Sequence, residues 1–208
     1  MSKIRAASIR DSGDDDLHSS LFNLCVGLGI ARWDVIAFTD GSGSSRRFSG
    51  GYGVVFRTHD SMFQTLHGGL SNTTSQEAEL RGVFELVNYL LAIRKNERSN
   101  GLLVHVVTDS TYVANRVVNL DPLSSLDTGK HTMLVGGLLE ASRRGVKVVP
   151  HYVPRNRNPL MTLADSLSKL ARFANTAETA SDLLDQTLST CDEAFPLTIE
   201  PARKGKIR

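Results

Sequence analysis

The order in which hydrophobic periodicity changes along residues 35–174 narrows the folds open to this chain more than any other feature. Residues 35–39 are nearly continuous apolar, 52–56 are aromatic and β-branched, and 62–70 follow a polar turn at 58–61, so three strands in an antiparallel meander are expected. Leu80, Val83, Phe84, Val87, Leu90 and Leu91 then recur at the i, i+3, i+4, i+7 spacing of one buried helix face. Thr74, with Glu77 three residues later, forms a capping box in which hydroxyl and carboxylate satisfy otherwise orphan backbone amides. Gly82 inside this helix costs about 1 kcal/mol relative to alanine, and close packing against a strand is the expected compensation. Residues 102–108 read as a strand buried on both faces except at His105. Helices are expected over 111–118 and 131–142, and a fifth strand over 146–153. Asn158 and Pro159 suit the cap and first position of a last helix that runs to about Ala174. The simplest layer arrangement for this order is an α/β fold, an open five-stranded mixed sheet with helices on both faces.

The ends read differently. Residues 1–33 begin basic, pass through Asp14, Asp15 and Asp16, and hold one short apolar patch at 21–30, which suggests a flexible N-terminal arm with at most one small docked turn. Residues 34–175 make one domain, and 176–208 a C-terminal helix at 177–188 followed by a basic tail. Net charge is only +2, so nucleic acid would be held by local clusters: Arg46 and Arg47, Arg143 with Arg144 and Lys147, Arg155 with Arg157, and the tail from Arg203 to Arg208. Cys25 and Cys191 lack metal-ligand spacing, which speaks against a thiolate zinc site and a disulfide scaffold. No apolar run reaches the roughly 18 residues that cross a bilayer, and the first ten residues lack the apolar core of a secretion signal. A monomeric, intracellular chain without membrane contact is expected, cytoplasmic or in the host cytoplasm if viral.

Four acidic residues fall where such a sheet brings its elements together. Asp40 ends the first strand of the meander, Glu79 lies early in the long helix, Asp109 ends the buried strand, and Asp165 sits early in the last helix. Strand ends and helix starts at one edge of an α/β sheet form its usual crevice. Each acid also has an ordinary alternative. Asp40-Gly41 suits a turn, Asp109 suits a helix cap, Glu79 suits the positive end of a helix dipole, and Asp165 suits an i, i+4 pair with Lys169.

Taken together, Phe38-Thr39-Asp40-Gly41-Ser42, Ala78-Glu79-Leu80, Thr108-Asp109-Ser110-Thr111-Tyr112-Val113 and Ala164-Asp165-Ser166-Leu167-Ser168-Lys169 resemble the four acidic motifs of type 1 ribonuclease H, in that family's order. Gly50, Gly51, Tyr52 and Gly53 match the start of its second strand, and the resemblance spans about 35–174. It implies an RNase H-like fold and a Mg²⁺-dependent endonuclease that cuts the RNA strand of an RNA–DNA hybrid by two-metal-ion hydrolysis, leaving 5′-phosphate and 3′-hydroxyl ends. Asp40, Glu79, Asp109 and Asp165 are then catalytic and metal-holding, with Asp40 and Asp109 contacting both ions and Glu79 and Asp165 one each; Mn²⁺ is an acceptable substitute. Mg²⁺ prefers hard oxygen ligands, which clustered carboxylates and substrate phosphate provide. Glu77 lies two residues from Glu79 and points to another side of the helix; the resemblance places the family's carboxylate directly before Leu80 and Glu77 already has a capping role, so Glu79 is assigned to the metal.

Telling RNA from DNA requires contact with 2′-hydroxyls, and Ser42, Ser75, Gln76 and Thr111 stand beside the motifs. Gly41 and its Gly- and Ser-rich neighbours permit close approach of a nucleic-acid backbone, the resemblance assigns Thr74 a phosphate of the DNA strand, and Arg155 and Arg157 are candidate phosphate contacts. Capping, turn formation or a plain surface loop is the ordinary alternative for these residues. Many relatives carry a histidine in the loop before the last aspartate. Here Val153-Pro154-Arg155-Asn156-Arg157-Asn158 has none, His151 lies too early and reads as structural, and slower turnover is expected. The rival readings are a catalytically silent module of the same fold that binds nucleic acid or protein, and a resolvase or integrase core.

Overall fold

The computed structural model describes residues 5–10, 14–44, 49–59, 61–94, 101–120, 129–154, 158–174 and 198–201. The element order is β1 (Arg5–Arg10), α1 (Asp14–Gly27), β2 (Val35–Ser44), β3 (Ser49–Thr58), β4 (Gln64–Ser71), α2 (Ser75–Ile93), β5 (Leu102–Thr108), α3 (Thr111–Val118), α4 (Gly129–Arg143), β6 (Val146–Tyr152), α5 (Pro159–Ala174) and β7 (Thr198–Pro201). The expected five-stranded mixed sheet is present in the order β6-β5-β2-β3-β4, and β1 and β7 extend it beyond β4. β2, β3 and β4 pair antiparallel as a meander, whereas β5 runs parallel to both β2 and β6.

Helices cover both faces. On one side Val35, Ala37, Val54, Leu66, Val104 and Val106 pack with Leu80, Val83, Leu86, Val87 and Leu90 of α2, Val113 of α3 and Leu134, Val135 and Leu138 of α4. On the other, Ile36, Phe38, Val55 and Val107 pack with Leu160, Met161, Ala164 and Leu167 of α5 and with Leu17, Leu21 and Cys25 of α1. Adjacent residues of a strand point to opposite faces, so β2 feeds both cores from alternate positions.

Three expectations are corrected. Residues 14–27 form a helix rather than part of a flexible arm, because Leu17, Leu21 and Cys25 recur every four residues and reach the α5-side core. Within the C-terminal tail, residues 198–201 form a strand paired with β1, while the helix expected at 177–188 lies outside the described residues. Gly82 is not forced by tight packing: a β-carbon there would meet Val54 Cγ2 at 3.5 Å and Tyr52 Cβ at 3.6 Å, ordinary contact distances. Among the described residues, no helix is long and apolar enough to cross a membrane.

Candidate active site

The parallel register pairs Thr39 of β2 with Thr108 of β5, so Asp40 and Asp109 are the next residues at the same end of neighbouring strands. β2 continues through Asp40 and Gly41 to Ser44, paired throughout with β3, which removes the turn as an account of Asp40. Its side chain is buried, at 2% exposure. The Ser168 hydroxyl of α5 lies 3.0 Å from Asp40 Oδ2 and 2.9 Å from the Asp165 carbonyl oxygen. A hydroxyl has one proton to donate, and the carboxylate is the stronger acceptor. Two positions on, Ser42 donates its hydroxyl to the Ser168 carbonyl at 2.9 Å.

This approach of α5 depends on missing side chains in β3. A β-carbon on Gly53 would stand 2.7 Å from Ser168 N, and one on Gly51 would stand 3.0 Å from Ala171 C. Both are contacts with helix backbone, so the helix would have to withdraw. Asp165, two turns into α5, is thereby carried on the helix whose Ser168 reaches Asp40. Its Oδ2 pairs with Lys169 Nζ at 2.5 Å, the i, i+4 partnership that the sequence also allows.

On the opposite face, Asn72 adopts a left-handed φ of 50°, which asparagine tolerates, and turns the chain from β4 into α2. Thr74 caps the helix: its hydroxyl accepts from Glu77 N at 3.2 Å, and Glu77 Oε2 accepts from Thr74 N at 2.8 Å, the expected capping box. A β-carbon on Gly41 would lie 2.6 Å from Glu79 Cα, so glycine lets the backbone of Glu79 rest directly on β2. Glu79 Oε2 accepts from the Ser110 hydroxyl at 2.5 Å. Ser110 is also the cap of α3, accepting from Val113 N at 3.2 Å. Asp109 is therefore not the cap.

Contacts thus run from Ser168, three residues after Asp165, to Asp40, from Gly41 to the backbone of Glu79, and from Glu79 to Ser110, the chain neighbour of Asp109. The four acids stand on elements that meet at one end of the sheet. Their carboxylates do not form a finished ligand cage: among the described residues no group of three or more His, Cys, Asp or Glu is arranged to hold a metal ion. Asp165, Glu79 and Asp40 each direct an oxygen to a nearby donor, Lys169, Ser110 and Ser168 respectively. The donors match Mg²⁺ in kind, being hard oxygen ligands, and side-chain rotation is needed to gather them.

Among the other candidates, Thr74, Ser75, Gln76 and Thr111 are exposed at the starts of α2 and α3, and Ser75 Oγ lies 3.5 Å from the Gly41 carbonyl. Ser42 is a correction, since its hydroxyl is buried and given to α5 rather than turned to a groove. Gly41 is buried against Glu79 and admits no backbone from outside. Arg155 and Arg157, like Arg46 and Arg47, lie outside the described residues. A cavity of about 630 Å³ adjoins the first turn of α2, bordered by Leu70, Thr73, Glu77, Arg81, Phe84 and Lys130. Behind Glu77, His131 Nε2 lies 3.8 Å from Glu77 Oε1, and His131 Nδ1 lies 2.9 Å from Tyr112 Oη. Burial pushes the His131 pKa down and the Tyr112 pKa up. His151 does have a structural place, its Nε2 lying 2.7 Å from His105 Nδ1 across β5 and β6.

A sequence model of the RNase H family matches residues 32–133, a span that holds Asp40, Glu79 and Asp109 and ends before Asp165. The fold is similar to that of the N-terminal RNase H domain of a Mycobacterium tuberculosis protein, with a TM-score of 0.54 and 21% identity over 70% of this chain and 97% of that one. The chain has an RNase H-like fold. LC11-RNase H1, solved in complex with an RNA/DNA hybrid, aligns with a TM-score of 0.56 and 17% identity over 69% of this chain and 99% of its own. RNase H1 of Halobacterium salinarum aligns with a TM-score of 0.51 and 16% identity over 69% and 98%. No curated protein sequence matches the chain.

Two residues of this RNase H-like site escape a search for acids. Ser110 and Ser168 both donate to its carboxylates. Ser168 had a legible signal, since a serine three residues after Asp165 shares its helix face. Ser110 was hidden because the sequence offered Asp109 as the cap of α3, a place that Ser110 takes.

Proposed function

We propose that the protein is a divalent-metal-dependent ribonuclease that hydrolyses the RNA strand of RNA–DNA hybrids, leaving 5′-phosphate and 3′-hydroxyl ends. The observation that supports it most is that Asp40, Glu79, Asp109 and Asp165 stand on elements that meet at one end of an RNase H-like sheet, linked through Ser168, Gly41 and Ser110. The hybrid bound in the LC11-RNase H1 structure supplies the substrate class.

Two Mg²⁺ ions, when bound, would supply an activated water and neutralise charge on the leaving 3′ oxygen. Asp40, Glu79, Asp109 and Asp165 are the residues that would hold them, Asp40 and Asp109 serving both and Glu79 and Asp165 one each by the family resemblance. Asp165 must first leave Lys169 Nζ, and that surface pair is weak enough to break, being worth at most about 1 kcal/mol. Thr74, Ser75, Gln76 and Thr111 offer hydroxyl and amide groups to 2′-hydroxyls and phosphate, and Arg155 and Arg157 are proposed for phosphate. Lys130 and Arg81 border the cavity on the same side and favour a polyanion there.

The test is cleavage of labelled hybrid, RNA duplex and DNA duplex with Mg²⁺, Mn²⁺ or chelator, beside Asp40→Asn. Hybrid RNA is expected to be cut only with metal, and the variant to lose at least about 100-fold, in line with the loss of a directly acting charge. Cutting by Asp40→Asn at the wild-type rate would refute the assignment. The Lys169–Asp165 pair favours one rival, a silent module that binds hybrid; binding without cutting, at any Mg²⁺ or Mn²⁺ concentration, would select it.

A further inference from the structure

We propose that Ser168 is a positioning residue for metal binding: its buried hydroxyl, bonded to Oδ2, fixes the orientation in which the Asp40 carboxylate would meet a cation. This rests on the proposed metal-dependent function. Ser168 has no exposed surface and Asp40 almost none, at 2%. Their bond of 3.0 Å joins the central strand to the helix that carries Asp165. Both partners are held independently of it. Ser42 grips the Ser168 carbonyl from β2, and the bare backbones of Gly51 and Gly53 let α5 lie close enough for that grip. The hydroxyl is thus delivered to Asp40 Oδ2 by packing rather than by a flexible stem.

Two consequences follow for a cation at this end of the sheet. A carboxylate with one oxygen fixed loses less rotational freedom on ligation, and a donor on Oδ2 orients the remaining lone pairs. Partners of this outer kind typically change metal affinity or activity about 10- to 100-fold when removed. Serine to alanine is a mild change inside a helix, since alanine is the best helix former and only the hydroxyl is lost.

The experiment is calorimetric Mg²⁺ titration of the full-length wild type and Ser168→Ala, without substrate, with melting temperature measured for each in chelator and steady-state cleavage of hybrid measured in parallel. The expected result is a Mg²⁺ dissociation constant raised about 10-fold or more, a lower kcat at limiting Mg²⁺, and an unchanged KM for hybrid, because Ser168 touches no substrate. Ser168→Cys, which keeps a weak donor, should fall between the two. A melting temperature lowered in Ser168→Ala with Mg²⁺ affinity and kcat unchanged would reduce Ser168 to a structural bond and overturn the inference. Weakened Mg²⁺ binding in the variant of a wild type that cuts no hybrid would uphold Ser168 while removing the nuclease assignment.

Discussion

The two faces of the sheet bring their acids to the same end by different means. On the α5 face, hydroxyls do the joining: Ser42 to the helix backbone and Ser168 to Asp40, both buried. On the α2 face, Glu79 is set down by backbone contact on Gly41, and the start of its helix is held by a capping box whose carboxylate faces a histidine. The first arrangement is joined by serine hydroxyls, and the second has His131 at its edge. The α2 face is therefore the one open to adjustment by protons.

The most damaging way to break either face is to restore a β-carbon. Gly41→Ala would place a methyl 2.6 Å from Ala78 C and Glu79 Cα, and Gly53→Ala one 2.7 Å from Ser168 N. Backbone cannot rotate aside as a side chain can, so each should cost about 3 kcal/mol, the upper part of the range for overpacking. For a chain of this size that lowers the melting temperature by roughly 6–12 °C. Hybrid cleavage should fall further than stability does, since each change displaces an acid-bearing helix. Equal melting temperatures for wild type and Gly41→Ala would show that Glu79 does not rest on β2.

A smaller effect should separate the faces. Glu77→Ala removes the acceptor of Thr74 N and of the Thr73 hydroxyl, at about 1–2 kcal/mol by denaturant unfolding, the scale of a lost cap with an orphaned donor. Its effect on hybrid should appear in KM, because Thr74, Ser75 and Gln76 form the turn it steadies. Loss confined to kcat would place the capping box with Glu79 instead.

Acid should weaken the fold through His131 on the α2 face and through the His105–His151 pair between β5 and β6. Burial lowers the His131 pKa below 6.5, with Arg116 adding to the lowering and Glu77 opposing it. His105 and His151 are lowered as well, again chiefly by burial. The unfolded chain then takes up protons that the folded chain resists, so stability falls as pH drops through 6.5 toward the lower folded values and is unaffected above. Melting temperature at pH 7.5 and 5.5 reads this directly. His131→Gln, which keeps an acceptor for Tyr112, should flatten part of the slope, and an unaltered slope would assign it to the His105–His151 pair.

Much of this architecture was legible in the chain because periodicity and caps are local signals. The α2 capping box, the α3 strand-to-helix junction and the Asn158-Pro159 start of α5 all stand where the sequence puts them. What escaped was non-local. Nothing near Ser42 says that its hydroxyl is given to a residue 126 positions away, and the acidic run that opens α1 hid a helix whose stability comes from docking on a distant core. The four acids were legible as residue types, whereas the Lys169 and Ser110 contacts that now occupy two of them depend on side-chain rotamers that sequence does not encode.

Gly82 tests the weakest link between the faces and their helices. The α2 helix crosses β2 and β3 at this glycine, yet a β-carbon would meet Val54 Cγ2 at 3.5 Å, Tyr52 Cβ at 3.6 Å and Thr39 Cβ at 3.9 Å. These are van der Waals distances, unlike the backbone collisions at Gly41 and Gly53. Gly82→Ala should therefore stabilise the protein by up to about 1 kcal/mol, through helix propensity and the restricted unfolded chain, without changing hybrid cleavage. A stabilised variant would confine the need for glycine to the end of the sheet where the acids stand. A destabilised one would mean that α2 needs the bare backbone along its whole crossing, and that Glu79 is placed by the full helix interface instead of by Gly41 alone.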